Sequence, residues 1–131
     1  MAKTFKVSVE LRQGSIAEVA ALLHGLALLS LVQIRAGQVT KVIYASGVKY
    51  RREPIGRERW QSAAETLRRG YGDCEDLAAW RLAELWASGE MGAKERVYAP
   101  RPGMMHCQVQ RASGQIEDPS RFLGMGPKSH G

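Results

Sequence analysis

The chain has 131 residues, 44% of them hydrophobic and 24% charged, which fits one globular domain with a buried core. This composition excludes a disordered, collagen-like or coiled-coil protein. The net charge is +6, but the basic residues are scattered singly or in pairs around an acidic middle, residues 57 to 90. Nucleic-acid binders group their basic side chains on one element, so we do not expect a nucleic-acid partner.

An uncharged stretch from Val19 to Ile34 bears on the location of the protein. It is shorter than the roughly 20 apolar residues that a membrane-spanning helix needs. It also differs from a signal peptide, because Glu10 and Glu18 precede it. The sequence therefore predicts a cytoplasmic protein with no membrane partner.

The first two predicted elements are a strand and a long helix. Apolar residues alternate between Thr4 and Leu11, the period of a half-buried strand. Ser15 is a predicted N-cap with Glu18 as its capping-box partner, and the apolar pattern then continues from Ile16 to Ile34. This pattern predicts a helix that is buried on most sides and ends before Gly37.

Two shorter helices are predicted in the acidic middle of the chain, after a short strand or extended segment from Val39 to Ala45. The first has an apolar stripe before Gly70, its expected C-cap, formed by Trp60, Ala63, Ala64 and Leu67. Asp73 is the predicted N-cap of the second, with Asp76 in the reciprocal position, and that helix stops at Ser88-Gly89.

Three strands joined by short turns are predicted beyond Gly92: Arg96 to Ala99, Met104 to Arg111 and Gln115 to Asp118. The tail from Pro119 has no pattern that predicts an element. Helices followed by a small antiparallel sheet are typical of an α+β fold, here a single domain over residues 1 to 131.

Cys74 is the most informative residue because it lies in the first turn of a predicted helix. A helix N-terminus favours the thiolate and can hold an oxyanion, for which the backbone N–H of Cys74 is the candidate donor. Gly72 would let a substrate approach the backbone closely. The alternative is a small buried hydrophobic residue, the commoner role of cysteine.

His106 and Asp118 lie on consecutive predicted strands and can supply a base and the group that orients it. If residues 112 to 114 form a three-residue loop, Asp118 lies opposite Gln108 and on the same face as His106. A two-residue loop would put Asp118 on the other face, and Gly114 in third place favours the longer loop. The alternatives are an ordinary strand histidine and a turn-forming aspartate.

Cys107 faces the other side of its predicted strand, together with Met105 and Val109. It is therefore predicted to be a structural thiol that does not pair with Cys74. Three acidic residues around Cys74 could form a cation site, but helix capping explains them better: Asp73, Glu75 and Asp76. With three histidines and no CxxC pair, a structural zinc site is not expected.

Residues 72 to 78, Gly-Asp-Cys-Glu-Asp-Leu-Ala, resemble the nucleophile motif of transglutaminase-like cysteine proteins. In that family a Gly-x-Cys opens a helix, and a His and an Asp follow on adjacent strands. The likeness extends over about residues 47 to 120. The segment 47 to 54, with Trp60, is most similar to the small members encoded by bacteriophages and prophages.

The resemblance implies a transglutaminase-like fold, related to papain-like cysteine proteases, and amide acyl transfer or hydrolysis without a cofactor or metal. It implies that Cys74 is the nucleophile, His106 the general base and acid, and Asp118 the residue that orients the imidazole. The implied substrate is a protein or peptide.

Substrate-binding residues are expected next to the nucleophile, with Trp60 and Tyr71 as walls and Gly72 at the backbone. An alternative function is that of a non-catalytic structural or assembly protein of a phage particle that keeps the fold and binds other phage structural subunits. The expected location is then the cytoplasm of a bacterial host or the virion. An enzyme needs a groove that reaches Cys74, whereas an assembly protein does not.

Overall fold

The computed structural model of the chain describes residues 15–53 and 59–126, so the predicted strand from Thr4 to Leu11 lies outside the described residues. The described elements are α1 (Ile16–Arg35), a 3-10 helix (Ile43–Ala45), β1 (Lys49–Tyr50), α2 (Ala63–Arg69), β2 (Tyr71–Gly72), α3 (Cys74–Ala87), β3 (Lys94–Arg101), β4 (Met104–Gln110), β5 (Ile116–Glu117) and α4 (Pro119–Phe122). This mixture of helices with a small antiparallel sheet confirms the α+β class.

Helix α1 begins at the predicted cap, where Ser15 Oγ accepts a hydrogen bond from Glu18 N. One side of α1 packs against α3 and β3, but Leu28 and Val32 on the other side are 47% and 62% exposed. The prediction of a helix buried on most sides is therefore wrong. By length and composition alone, this 20-residue helix could cross a membrane, a test that the core helix of a soluble protein also passes.

Helix α2 is shorter at its start than the apolar stripe predicts, and Trp60 lies before it. Ser62 is the N-cap, and the first two helical N–H groups donate to Ser30 Oγ and Gln33 Oε1 of α1. These acceptors come from another helix, so the local pattern could not reveal where α2 begins. The C-cap is Gly70 with φ of 85°, as predicted.

Helix α3 is the buried centre of the fold, packed against α1, α2 and β4. Its start confirms the predicted capping box, since Asp76 Oδ2 accepts from Asp73 N at 3.0 Å. The Asp73 carboxylate in turn accepts from Cys74 N at 2.7 Å. Cys74 is consequently the first residue of the helix, as expected.

The sheet has the order β3-β4-β5, with antiparallel neighbours. Val109 pairs with Glu117 across β4 and β5, which is the register that the three-residue loop predicts. Gly114 adopts a φ of 94°, and the loop closes with Arg111 N donating to the carbonyl of Gln115. The predicted turn geometry is therefore confirmed.

Three local features differ from the sequence expectations. The segment Val39 to Ala45 forms no strand and instead ends in the 3-10 helix, where Ile43 N donates to Glu84 Oε2 at 2.6 Å. Strands β1 and β2 form a two-residue parallel pair that the sequence did not predict, because so short a strand shows no period. The tail contains α4, which Asp118 caps.

Candidate active site

His106 and Asp118 are in direct contact. The Nε2 atom of His106 lies 2.7 Å from Asp118 Oδ2, and Gln108 Nε2 donates to the same oxygen at 3.0 Å. Tyr98, the cross-strand partner of His106, packs edge-on against the imidazole at 5.7 Å between ring centroids. Since Nε2 is engaged with the carboxylate, Nδ1 is the ring nitrogen that would exchange a proton with a nucleophile.

The Asp118 carboxylate is held in its charged form. Burial acts to raise its pKa, but the hydrogen bonds from His106 and Gln108 outweigh burial and lower the pKa below its usual value. The other oxygen accepts from Arg121 N at 3.2 Å and so caps α4. The turn after β5 therefore fixes the carboxylate at both oxygens.

Cys74 lies in an apolar cluster and is only 4% exposed. Its thiol donates to Glu75 Oε2 at 3.4 Å. A hydrogen bond with the Cys107 thiol, followed by burial, raises the pKa of Cys74 well above its usual value. Although a helix N-terminus favours thiolate, the described conformation therefore holds a protonated thiol.

Cys107 belongs to the core, as the strand alternation predicts, together with Val109. Both cysteines are free thiols. The sequence did not reveal that Cys74 shares this cluster and is a hydrogen-bond partner of Cys107. The alternation of side chains along a strand predicts the face on which each residue lies. It does not predict which residues of a helix pack against that face.

The backbone N–H expected to bind an oxyanion is already occupied. Cys74 N donates to Asp73 Oδ1, and the other Asp73 oxygen accepts from Glu53 N at 3.0 Å. Asp73, the N-cap that precedes Cys74, therefore occupies the backbone N–H of Cys74. The expectation that this group is the oxyanion donor does not fit the described conformation.

Burial raises the pKa of all three carboxyls around Cys74: Asp73, Glu75 and Asp76. Donor atoms of Asp73, Cys74 and Glu75 lie within 4.8 Å of one another, so these are the residues whose spacing could admit a metal. However, the Asp73 and Asp76 oxygens accept backbone N–H groups of the capping box and of Gln61. The predicted capping role is confirmed for Asp73 and Asp76, whereas Glu75 Oε2 accepts from the Cys74 thiol.

The three expected substrate-binding residues have different settings. Trp60 is 7% exposed and lies in the cluster that contains Cys74. Tyr71 is half-buried, with the guanidinium groups of Arg51 and Arg69 at 4.7 and 4.5 Å from its ring centroid. Gly72 is buried, and a Cβ there would lie 3.0 Å from Asp76 Cβ. Tight packing on α3 therefore accounts for this glycine.

Tyr50 is a polar residue near the thiol that the sequence reasoning missed. It pairs with Gly72, two residues before Cys74, and its ring packs against the cluster of Cys74. Its hydroxyl is buried and has no hydrogen-bond partner among the described residues. Its only sequence signal is its position inside the segment 47 to 54 that carries the resemblance.

Comparisons with protein-family models, with curated proteins and with solved structures find no match to this chain. The described residues form an α+β protein with a buried cysteine at the start of a helix, a histidine on the adjoining sheet and an aspartate just after the last strand of that sheet.

Proposed function

We propose that the protein is a cysteine-dependent amide hydrolase or acyltransferase of transglutaminase-like type. The nucleophile is Cys74, the general base and acid is His106, and Asp118 orients the imidazole. The proposal is carried by the 2.7 Å contact between His106 Nε2 and Asp118 Oδ2 on the sheet that packs against α3, the helix that Cys74 begins.

The reaction starts with transfer of the Cys74 proton to His106 Nδ1 and attack of Sγ on the carbonyl carbon of an amide. A carbon–sulfur bond forms while the π electrons of the carbonyl move to its oxygen. Collapse breaks the carbon–nitrogen bond, and His106 gives its proton to the leaving amine. Water then hydrolyses the thioester, or a second amine replaces the sulfur and forms a new amide.

In this proposal, the described conformation is the resting state. The protonated thiol is bonded to Glu75 and to Cys107, which follows His106 on β4 and faces the other side of the strand. Cys74 must therefore leave these partners before His106 can take its proton, while Asp118 holds the imidazole through Nε2. Because the pKa of Cys74 is raised, the proposal depends on His106 to remove the thiol proton.

The test is the rate of alkylation of Cys74 by iodoacetamide at neutral pH. Trypsin places Cys74 and Cys107 on different peptides, residues 70–81 and 97–111, so mass spectrometry measures each thiol in the unaltered chain. We expect His106→Ala to slow Cys74 alkylation roughly 100-fold, the size of a general-base contribution. His24→Ala is the matched control, because that histidine is half-exposed and hydrogen-bonded to Glu95. An alkylation rate of Cys74 that is the same in the parent and in His106→Ala would refute the proposal.

The second candidate is the non-catalytic assembly protein of a phage particle. It is favoured by the burial of the Cys74 thiol and by the exposed apolar residues Leu28 and Val32 on α1, which other phage structural subunits could cover. In this case both thiols should be alkylated slowly, and His106→Ala should change neither rate. The alkylation experiment thus separates the two candidates.

A further inference from the structure

The acyl-transfer reaction places a negative charge on the carbonyl oxygen, and that charge needs a hydrogen-bond donor next to Cys74. The nearest backbone donor, Cys74 N, is bonded to the carboxylate of Asp73. The site therefore requires another donor, one that is buried near the thiol and not already paired. Two side chains of the described residues that belong to or pack against the cluster containing Cys74 meet this condition, the hydroxyl of Tyr50 and the indole N–H of Trp60.

Tyr50 is the better placed of the two. Strand β1 pairs with β2 so that Tyr50 lies beside Gly72, next to the chain that leads into Cys74. Burial is the largest cause that raises the pKa of Tyr50, and the nearby Asp73 carboxyl contributes to the same shift. The raised pKa keeps the phenol protonated, and therefore a donor, throughout the neutral range.

We infer that the Tyr50 hydroxyl is the oxyanion donor of this site. It donates a hydrogen bond to the oxygen of the tetrahedral intermediate that forms when Cys74 Sγ attacks an acyl carbon. Tyr50 keeps its proton throughout, so no bond to it is made or broken. The inference rests on the proposed function, and it explains why a buried hydroxyl has no partner among the described residues in the resting state.

Two electrophiles that react with the same thiol test this role. p-Nitrophenyl acetate acylates Cys74 through a tetrahedral oxyanion, whereas iodoacetamide alkylates it by direct displacement and forms no oxyanion. We expect Tyr50→Phe to slow acylation roughly 100-fold, as loss of an oxyanion donor does. The alkylation rate should stay within about twofold of the parent, because the thiol and His106 are unchanged.

Tyr44→Phe is the matched control. It removes a hydroxyl that is bonded to Glu117 and that lies outside the cluster of Cys74, and it should leave both rates unchanged. Tyr50→Phe removes an oxygen that makes no hydrogen bond to the part of the chain that the structure describes, so the urea midpoint of this variant should equal or exceed that of the parent. A lowered midpoint together with equal losses in both rates would mean that Tyr50 is structural, and would overturn the inference.

Other outcomes separate this inference from the proposed function. If Tyr50→Phe acylates at the parental rate while Trp60→Phe is slow, the inference is wrong and the indole is the donor. If alkylation of the parent does not depend on His106, or the parent is not acylated at Cys74, the proposed function fails and the inference falls with it.

Discussion

Two carboxyl groups that belong to or contact α3 lie in opposite settings. At the start of the helix, Glu75 is buried beside Asp73 and Asp76, and burial raises its pKa well above the usual value. Glu117 of β5 instead accepts hydrogen bonds from Arg81 of α3 and from Arg111. The Arg81 hydrogen bonds are the main cause that lowers the pKa of Glu117 to about 2.

The difference shows how one helix serves two purposes. The Arg81–Glu117 pair holds α3 to β5, Arg111 pairs with the same carboxylate, and this network contributes to stability. The start of the helix instead buries three carboxyls around a thiol with no cation paired to Glu75 among the described residues, and the hydrogen bonds to Asp73 and Asp76 offset only part of the cost of burial. Strongly perturbed groups of this kind are typical of functional sites. Substitution of one carboxyl at a time should therefore change stability in different directions at the two places.

The largest effect is expected for Asp76→Ala. Asp76 is fully buried and accepts hydrogen bonds from Asp73 N, Gln61 N and Gln61 Nε2. Its loss leaves buried donors unsatisfied, so the free energy of unfolding should fall by about 3 kcal/mol. Urea denaturation at pH 7 measures this change. Asp76→Asn is the control, since its amide oxygen can retain part of the capping box and should lose less. Equal losses in both variants would argue against a capping role.

The histidine–aspartate side of the site was open to prediction because it depends on local chemistry. Gly114 fixes the length of one turn, the turn sets the register of β5, and the register brings Asp118 to His106. Each step involves residues that are close in sequence. The capping residues Asp73 and Asp76 were predictable for the same reason.

The thiol side could not be predicted because its neighbours come from distant segments. Cys107 of β4 contacts Cys74, and Tyr50 of β1 packs against the same cluster. Neither contact can be predicted from a periodic pattern in the local sequence. Trp60 was placed in a helix because nothing nearby shows that Ser30 of α1 accepts the first N–H of α2. Burial of the thiol, which decides its protonation, is likewise a tertiary property.

Glu75→Gln should give the next largest effect. Because its folded pKa is raised, the folded state binds more protons than the unfolded state, and the parent loses stability as pH rises above the ordinary range of a glutamate. Glutamine cannot ionise, so the variant should be about 1 kcal/mol more stable at pH 8. The Cys74 alkylation midpoint should also shift to lower pH, because the Glu75 charge raises the Cys74 pKa.

Unfolding of both proteins between pH 4 and 8 provides the check on Glu75. A parent whose stability does not decline relative to Glu75→Gln across this range would contradict a raised pKa at position 75. An unmoved alkylation midpoint would contradict the contact between the carboxyl and the thiol.

Glu117→Gln is the same substitution at the opposite end of the comparison and should have the opposite sign. The lowered pKa of Glu117 gives the parent stability that is present above about pH 4.5 and is lost as pH falls toward about 2. After allowance for solvent screening, the variant should be about 1 kcal/mol less stable at pH 7 and should lose little more in acid. Thermal unfolding at pH 7 and pH 3 measures both effects. If the stability of the parent and that of the variant depended on pH in the same way, the ionisation of Glu117 would contribute nothing to the pH dependence of stability.

Arg96→Ala should give the smallest change in stability and tests the third kind of carboxyl, the ionised Asp118. Arg96 Nη1 donates to Gln108 Oε1 at 2.6 Å, which turns the amide nitrogen of Gln108 toward Asp118. Arg96 is exposed, so its removal should cost no more than about 0.5 kcal/mol.

The freed amide of Gln108 can rotate in Arg96→Ala, and the pKa of Asp118 should then rise, because the Gln108 hydrogen bond helps to lower it. Carboxyl titration by carbon-13 NMR of labelled aspartate would measure that rise, and Arg101→Ala at the end of β3 is the control. An unchanged Asp118 titration in Arg96→Ala would mean that the orientation of Gln108 does not depend on Arg96, or that the contacts from His106 and Arg121 hold the carboxylate in its charged form without Gln108.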